Sequence, residues 1–150
     1  MDSPILQNSD IAITHFHDGR FYYNKCQILE YLSASQPFDA YGVKSMLEAV
    51  TTQMRTGCYA VALKDDKIIA YAGWILTTRQ VADRWLKNEG QLTVEVAAPG
   101  AAVFTILAVS QTDLLLPIAR HVRRKNGGLP VVWKRHVKGR GLHSRQLLKP

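Results

Sequence analysis

The chain has 150 residues, a formal net charge of +7, 47% hydrophobic and 21% charged residues, which is the size of one domain with enough apolar side chains for a core. No run approaches the roughly 18 apolar residues of a membrane span, and Met1-Asp2-Ser3-Pro4 opens no basic-then-apolar leader, so the expectation is a cytoplasmic protein without a signal peptide. Cys26 and Cys58 match no metal spacing and fall in apolar-patterned segments, where they read as buried reduced thiols.

In chain order, Ala12 to Tyr23 reads as a small hairpin: Ile13, His15 and His17 alternate, Asp18-Gly19 is a turn signal, and Phe21-Tyr22-Tyr23 has strand composition. Asn24 is placed to cap a helix through about Ser33 that buries Ile28, Leu29 and Leu32. Ser35 to Ala40 contains Pro37 and reads as loop. From about Tyr41, Val43, Met46, Leu47, Val50 and Met54 recur at helical spacing, and Gly57 stops the run. Tyr59, Val61 and Leu63 alternate as a strand, Lys64-Asp65-Asp66-Lys67 reverses the chain, and a second strand ends Ala70-Tyr71-Ala72-Gly73-Trp74.

Thr77 or Thr78 can cap a helix carrying Val81, Ala82, Trp85 and Leu86, which Asn88-Glu89-Gly90 ends. Leu92, Val94 and Val96 alternate as a strand, Pro99-Gly100 turns, and Val103 to Val109 is a continuous apolar run suited to a central strand. A last helix starts between Thr112 and Leu116, the later start being favoured because Pro117 is tolerated only in a first turn. Leu115, Ile118, Ala119 and Val122 form its buried face, Asn126-Gly127-Gly128 closes it, and Pro130 to Trp133 is a short strand. From His136 the chain is basic and glycine-bearing.

Several of these features run together. Ser35-Gln36-Pro37-Phe38-Asp39-Ala40-Tyr41-Gly42-Val43, the amphipathic helix after it, Arg55 with Tyr59, Ile69-Ala70-Tyr71-Ala72-Gly73-Trp74, and Arg123-Arg124-Lys125 before a strand ending Lys134-Arg135 follow one pattern with almost no gaps. From about Ile28 to His136 the chain resembles the toxin-activating lysine acyltransferases, the hemolysin-C-like family. The resemblance implies an α/β (α+β) acetyltransferase-like, GNAT-like fold with a mixed, mainly antiparallel sheet flanked by helices. It implies residues 1–27 as an N-terminal extension, 28–136 as the acyltransferase-like domain and 137–150 as a basic tail. It further implies transfer of a fatty acyl group from acyl carrier protein to a protoxin lysine. Members of the family can be homodimers.

The departures bear on function. The family's catalytic histidine falls at Phe38, or at Asp39 if the loop slips by one residue. Its catalytic aspartate falls at Leu107 without gaps, or at Glu95 with an insertion of about a dozen residues. A lysine ammonium must lose a proton before attacking a thioester, and the oxyanion that forms must be stabilised. Phenylalanine and leucine do neither. The remaining weak candidates are Glu95 as a base, against the solvent face of an edge strand, and Tyr71 as an acid, against a packed tyrosine. His15 and His17 can share a metal only with further ligands that no recognisable set supplies, so no metal site is expected.

Residues 120–150 carry ten of the nineteen Lys and Arg, and no acid follows Asp113. Arg120, Arg123, Arg124, Lys125, Lys134, Arg135, Lys138, Arg140 and Arg145 are the candidate partner-binding residues. Helix-dipole complementation explains part of the first group, and a solvated tail is the plain alternative for the rest. Gln111 to Pro117 holds none of the glycines of a coenzyme-A phosphate loop. The expectation is a non-catalytic relative, a pseudoenzyme without cofactor, that binds nucleic acid or an acidic protein through this region. The alternative is an active lysine acyltransferase that takes its acyl group from acyl carrier protein and uses relocated acid–base groups.

Overall fold

The computed structural model of the protein describes residues 10–35, 37–137 and 141–147. The elements are β1 (Ile11–Thr14), α1 (Phe21–Ser33), β2 (Tyr59–Lys64) and β3 (Lys67–Thr77), with α2 (Val43–Thr56) between α1 and β2. There follow α3 (Arg79–Leu86), β4 (Ala101–Val109), α4 (Leu115–Lys125), β5 (Val131–Val137) and β6 (Gly141–Leu147). The strands form one mixed sheet in the order β1-β2-β3-β4-β5-β6. Pairing is antiparallel for β1/β2, β2/β3 and β5/β6 and parallel for β4/β5. Among the described residues no helix is long and apolar enough to cross a membrane. The chain divides into two compact units, residues 1–73 with 106–118, and residues 74–105 with 119–150.

In the first unit the β2–β3 reversal forms as expected. Asp65 and Asp66 both take positive φ, 52° and 61°, the conformation a two-residue hairpin turn needs and one that short polar side chains tolerate. The expected Ala12–Tyr23 hairpin does not form. β1 pairs with β2, Ile11↔Lys64 to Thr14↔Val61, and Phe21 begins a helix. The cause is Asp18, whose Oδ1 accepts the Arg20 N–H (3.1 Å) and the Asn24 Nδ2–H (2.7 Å). These bonds tie the Asp18–Arg20 turn to the helix that follows, and Asn24 lies inside α1 as a buried residue and is not its cap. The Asn24 bond, and then that from the Arg20 backbone, hold the Asp18 carboxyl below the usual carboxylate range. Helices α1 and α2 bring Ile28, Leu32, Met46 and Val50 onto Tyr59, Val61, Tyr71, Ile106 and Ala108, with Phe38 among them. Each fully buried large apolar side chain there contributes about 1.5–3 kcal/mol.

In the second unit Thr78 caps α3, its Oγ1 accepting the Val81 N–H at 3.1 Å. Ala82, Ala101, Val103 and Val132 form the core, with Ile75, Trp85, Leu86 and Leu92 against it. The expected strand over Leu92–Val96 is absent: these residues have no regular structure, and Val94 and Val96 are 64% and 69% exposed. One ladder-like bond remains, Glu95 N–H to Leu76 O at 2.8 Å. The Glu95 carboxylate competes for the backbone by accepting the N–H groups of Ala97 (2.9 Å) and Ala98 (3.2 Å), which closes a turn where a strand would continue. Gly100 follows. A Cβ there would stand 2.9 Å from the Arg79 backbone nitrogen, so Gly100→Ala is expected to cost about 1–3 kcal/mol by pushing on the start of α3, measurable by urea denaturation.

The phase of β4 changes along its length. Tyr71 and Ile75 lie on one face of β3. Tyr71 packs with Ile106 and Ala108, and Ile75 with Ala101 and Val103. Odd-numbered β4 residues serve the second core and even-numbered ones the first, on either side of the exposed Thr105. The basic segment after His136 contains a strand, β6, pairing with β5 from Val131↔Leu147 to Val137↔Gly141. Its alternation is weak and it escapes a pattern search.

Candidate functional site

The residues between β4 and α4 are Ser110 and Gln111, then a 3₁₀ turn, Thr112–Leu114. Leu114 is buried and anchors the turn, and Pro117 sits in the first helical turn, as expected. No glycine brings backbone N–H groups close to a ligand here, and Asp113 places a negative charge at this position. The parallel β4/β5 ladder shows two register pairs, Ala102↔Val131 and Val103↔Val132, although both strands continue beyond them.

The positions implied by the family resemblance are not brought together. Phe38 is 9% exposed, lies in the first unit's core, and its ring meets Tyr41 at 5.3 Å. Asp39 is exposed, next to Phe38 on a 3₁₀ turn, Phe38–Ala40, its N–H spent on Ser35 O. Leu107 alternates with Ile106 and Ala108 and so faces away from the cluster that holds Phe38.

Tyr71 is fully buried and donates to Gln53 Oε1 at 2.5 Å. Burial, and then the neighbouring Tyr59, push its phenol far above the ordinary range, so its proton stays in place and is held by an amide. A Cβ at Gly73 would lie 1.9 Å from Gln53 Oε1, so Gly73 makes the room this amide occupies. Tyr59 accepts the Phe16 N–H at 2.9 Å, and burial raises its pKa as well. Glu95 is half-buried in the second unit with its carboxylate committed to its own turn.

His15 and His17 stand with ring centroids 4.0 Å apart, and among the described residues no group of three or more His, Cys, Asp or Glu is placed to hold a metal. Cys58 is half-buried. Cys26 is exposed, against expectation, because it lies on the outer side of α1 while Asn24, Ile28 and Leu32 take the inner one.

Of the basic candidates, Arg120, Arg124 and Lys125 are exposed and Arg123 is half-buried. Arg123, Arg124 and Lys125 sit in the last turn of α4, where cations complement the helix dipole. The Lys125 Nζ lies 5.5 Å from the Trp74 ring centroid. Lys134 is engaged: its Nζ donates to Asn88 Oδ1 at 2.7 Å and lies 4.2 Å from the Trp85 ring centroid, and desolvation lowers its pKa. Arg135 and Arg145 occupy register positions opposite His143 and Trp133. Lys138 and Arg140 lie outside the described residues.

A second cationic group is not visible as such in the sequence. At the start of α1, Arg20, Lys25 and Arg55 rest on the rings of Phe21, Tyr22 and Tyr23. Treating Phe21-Tyr22-Tyr23 as a strand hides it, because the helical spacing of Phe21 and Lys25 is the signal.

No protein-family model matches this sequence, and no curated protein matches it. Solved structures do match. A GNAT-family acetyltransferase from Streptococcus agalactiae aligns with a TM-score of 0.60 at 13% identity, over 93% of this chain and 96% of that one. The Drosophila melanogaster polyamine N-acetyltransferase aligns at 0.58 and 14% identity, over 85% and 77%. GphF, a GNAT-like decarboxylase in complex with isobutyryl-CoA, aligns at 0.55 and 16% identity, over 82% and 65%. The fold is therefore the GNAT acetyltransferase fold, as expected. Identities this low carry the fold and nothing further. Two acetyltransferases and a decarboxylase on one architecture illustrate that fold does not fix reaction.

Proposed function

We propose that this chain is a diverged, non-catalytic GNAT-fold protein that binds an acidic macromolecule, nucleic acid or an acidic protein, through α4 and the basic segment after it. Its lineage resembles that of the toxin-activating lysine acyltransferases. The observation that carries this reading is the exposure of Arg120, Arg124 and Lys125 on one helix in a stretch with no acid after Asp113. Such a field attracts polyanions and makes binding depend on salt. Loss of catalysis is supported by Phe38 in the core, by Leu107 facing away from it, and by the glycine-free turn bearing Asp113. No cofactor is needed in this reading.

The competing reading is a lysine acyltransferase supplied by acyl carrier protein, with Glu95 and Tyr71 as base and acid. The likeness to GNAT enzymes favours it, and the commitments of both side chains, to a turn and to Gln53, count against it. Titrating labelled duplex DNA and, separately, acyl carrier protein against wild type and Arg120→Gln/Arg124→Gln tests the first. One of the two should bind, and the double variant should flatten the log–log salt slope for DNA by roughly 1.8. Binding that ignores both salt and the substitutions refutes the α4 surface. Acyl transfer from loaded carrier protein, seen by mass spectrometry and abolished in Glu95→Gln, would establish the enzyme.

A further inference from the structure

We propose that the first turn of α1 is a binding site for single-stranded nucleic acid, with bases stacking on Tyr22 and Tyr23 and phosphates meeting Arg20, Lys25 and Arg55. Successive helical residues diverge by about 100°, so Phe21, Tyr22 and Tyr23 fan outward. Phe21 is half-buried and meets Tyr22 edge-on, with centroids 5.4 Å apart. Tyr22 and Tyr23 remain 70% and 51% exposed, even though a cation already rests on each. Lys25 Nζ lies 4.9 Å from the Tyr22 centroid and 5.2 Å from that of Phe21. Arg20 lies 4.4 Å from Tyr23, and Arg55, arriving from the end of α2, 5.6 Å from Phe21.

Three cations and two open rings therefore share one surface. The acid closest in sequence, Asp18, is already bonded to Arg20 and Asn24. Among the described residues neither Lys25 nor Arg55 has a carboxylate partner.

The combination selects its ligand. Cations alone suit any polyanion. Exposed aromatic faces beside them suit a strand whose bases are free to stack, because every base has a π-face and a duplex hides it. An acidic peptide would use the cations and leave the rings in water. The site is formed wholly by residues 20–25 and 55 and does not rest on the reading of α4.

The test is fluorescence anisotropy of the full chain with a labelled 12-nucleotide single strand and the matching duplex. The single strand should bind more tightly. Tyr22→Ala/Tyr23→Ala should weaken it about tenfold or more, Tyr22→Phe/Tyr23→Phe should retain binding, and Lys25→Gln/Arg55→Gln should flatten the salt slope by roughly 1.4. Circular dichroism of each variant checks folding, and the charge variant gives a separate readout should the alanine pair lose structure. Absence of single-strand binding, equal affinity for duplex, or full affinity in the alanine pair overturns the proposal. Full displacement by poly-glutamate together with full affinity in the alanine pair assigns the surface to an acidic protein and also overturns it. Loss in Arg120→Gln/Arg124→Gln alone assigns the binding to α4, so this site fails while that one stands.

Discussion

Phe38→Ala is expected to lower stability by about 3 kcal/mol and the melting temperature by roughly 6–12 °C, read by calorimetry. The ring occupies a core built by both helices of the first unit, and alanine leaves a cavity that a residue on a short 3₁₀ turn cannot collapse to fill. Phe38→His is the sharper companion. It introduces the histidine that the resemblance to the toxin-activating acyltransferases implies for this position, yet acyl transfer is expected to stay at background, alone or with Leu107→Asp. Leu107 leaves β4 on the face opposite Ile106 and Ala108, which share a core with Phe38, so the pair cannot meet over one substrate. Transfer by that double variant, assayed with acyl carrier protein as donor, would show that the two positions can act on one substrate and would count against the non-catalytic reading.

Gly73→Ala should cost about 2 kcal/mol, from the Tyr71 hydroxyl losing its acceptor inside the core. A methyl group there occupies the space of the Gln53 amide. That amide is the flexible end of its side chain and can swing away, but only by breaking the bond to Tyr71 in a buried place. Gln53→Ala should cost a similar amount for the same reason. The diagnostic is the double variant: removing the amide opens room for the methyl, so Gly73→Ala/Gln53→Ala should destabilise by clearly less than the sum of the singles. Additive losses in chemical denaturation would mean that glycine is needed for something other than this close approach.

The parts of the fold legible from sequence were those whose signal is local and periodic. The end of α2 at Gly57, the Asp65-Asp66 reversal, the Thr78 cap and the entry of α4 at Pro117 each carry their cause within a few residues, whereas the α2 stripe holds only in part: Met46 and Val50 are buried, and Val43 and Leu47 are exposed. What misled was context. Phe21-Tyr22-Tyr23 has strand composition, yet Asp18, three residues upstream of Phe21, holds the Arg20 N–H and the Asn24 amide where a helix starts. Leu92, Val94 and Val96 alternate, yet Glu95 spends its carboxylate on the next two N–H groups but one. Strand composition at Phe21-Tyr22-Tyr23 conceals the aromatic–cation surface of α1, and few apolar residues mark β6. Gln53, a polar residue on an otherwise apolar stripe, was the available clue to the buried partner of Tyr71.

The arrangement of Lys134 limits how charge can be counted in this molecule. An ammonium clasped by an amide oxygen and seated on an indole still migrates in an electric field, but it is poorly placed to dislodge sodium from a polyphosphate. In the proposed complex with a polyanion, electrophoretic valence and the number of ions expelled should therefore diverge, the second falling short of the first.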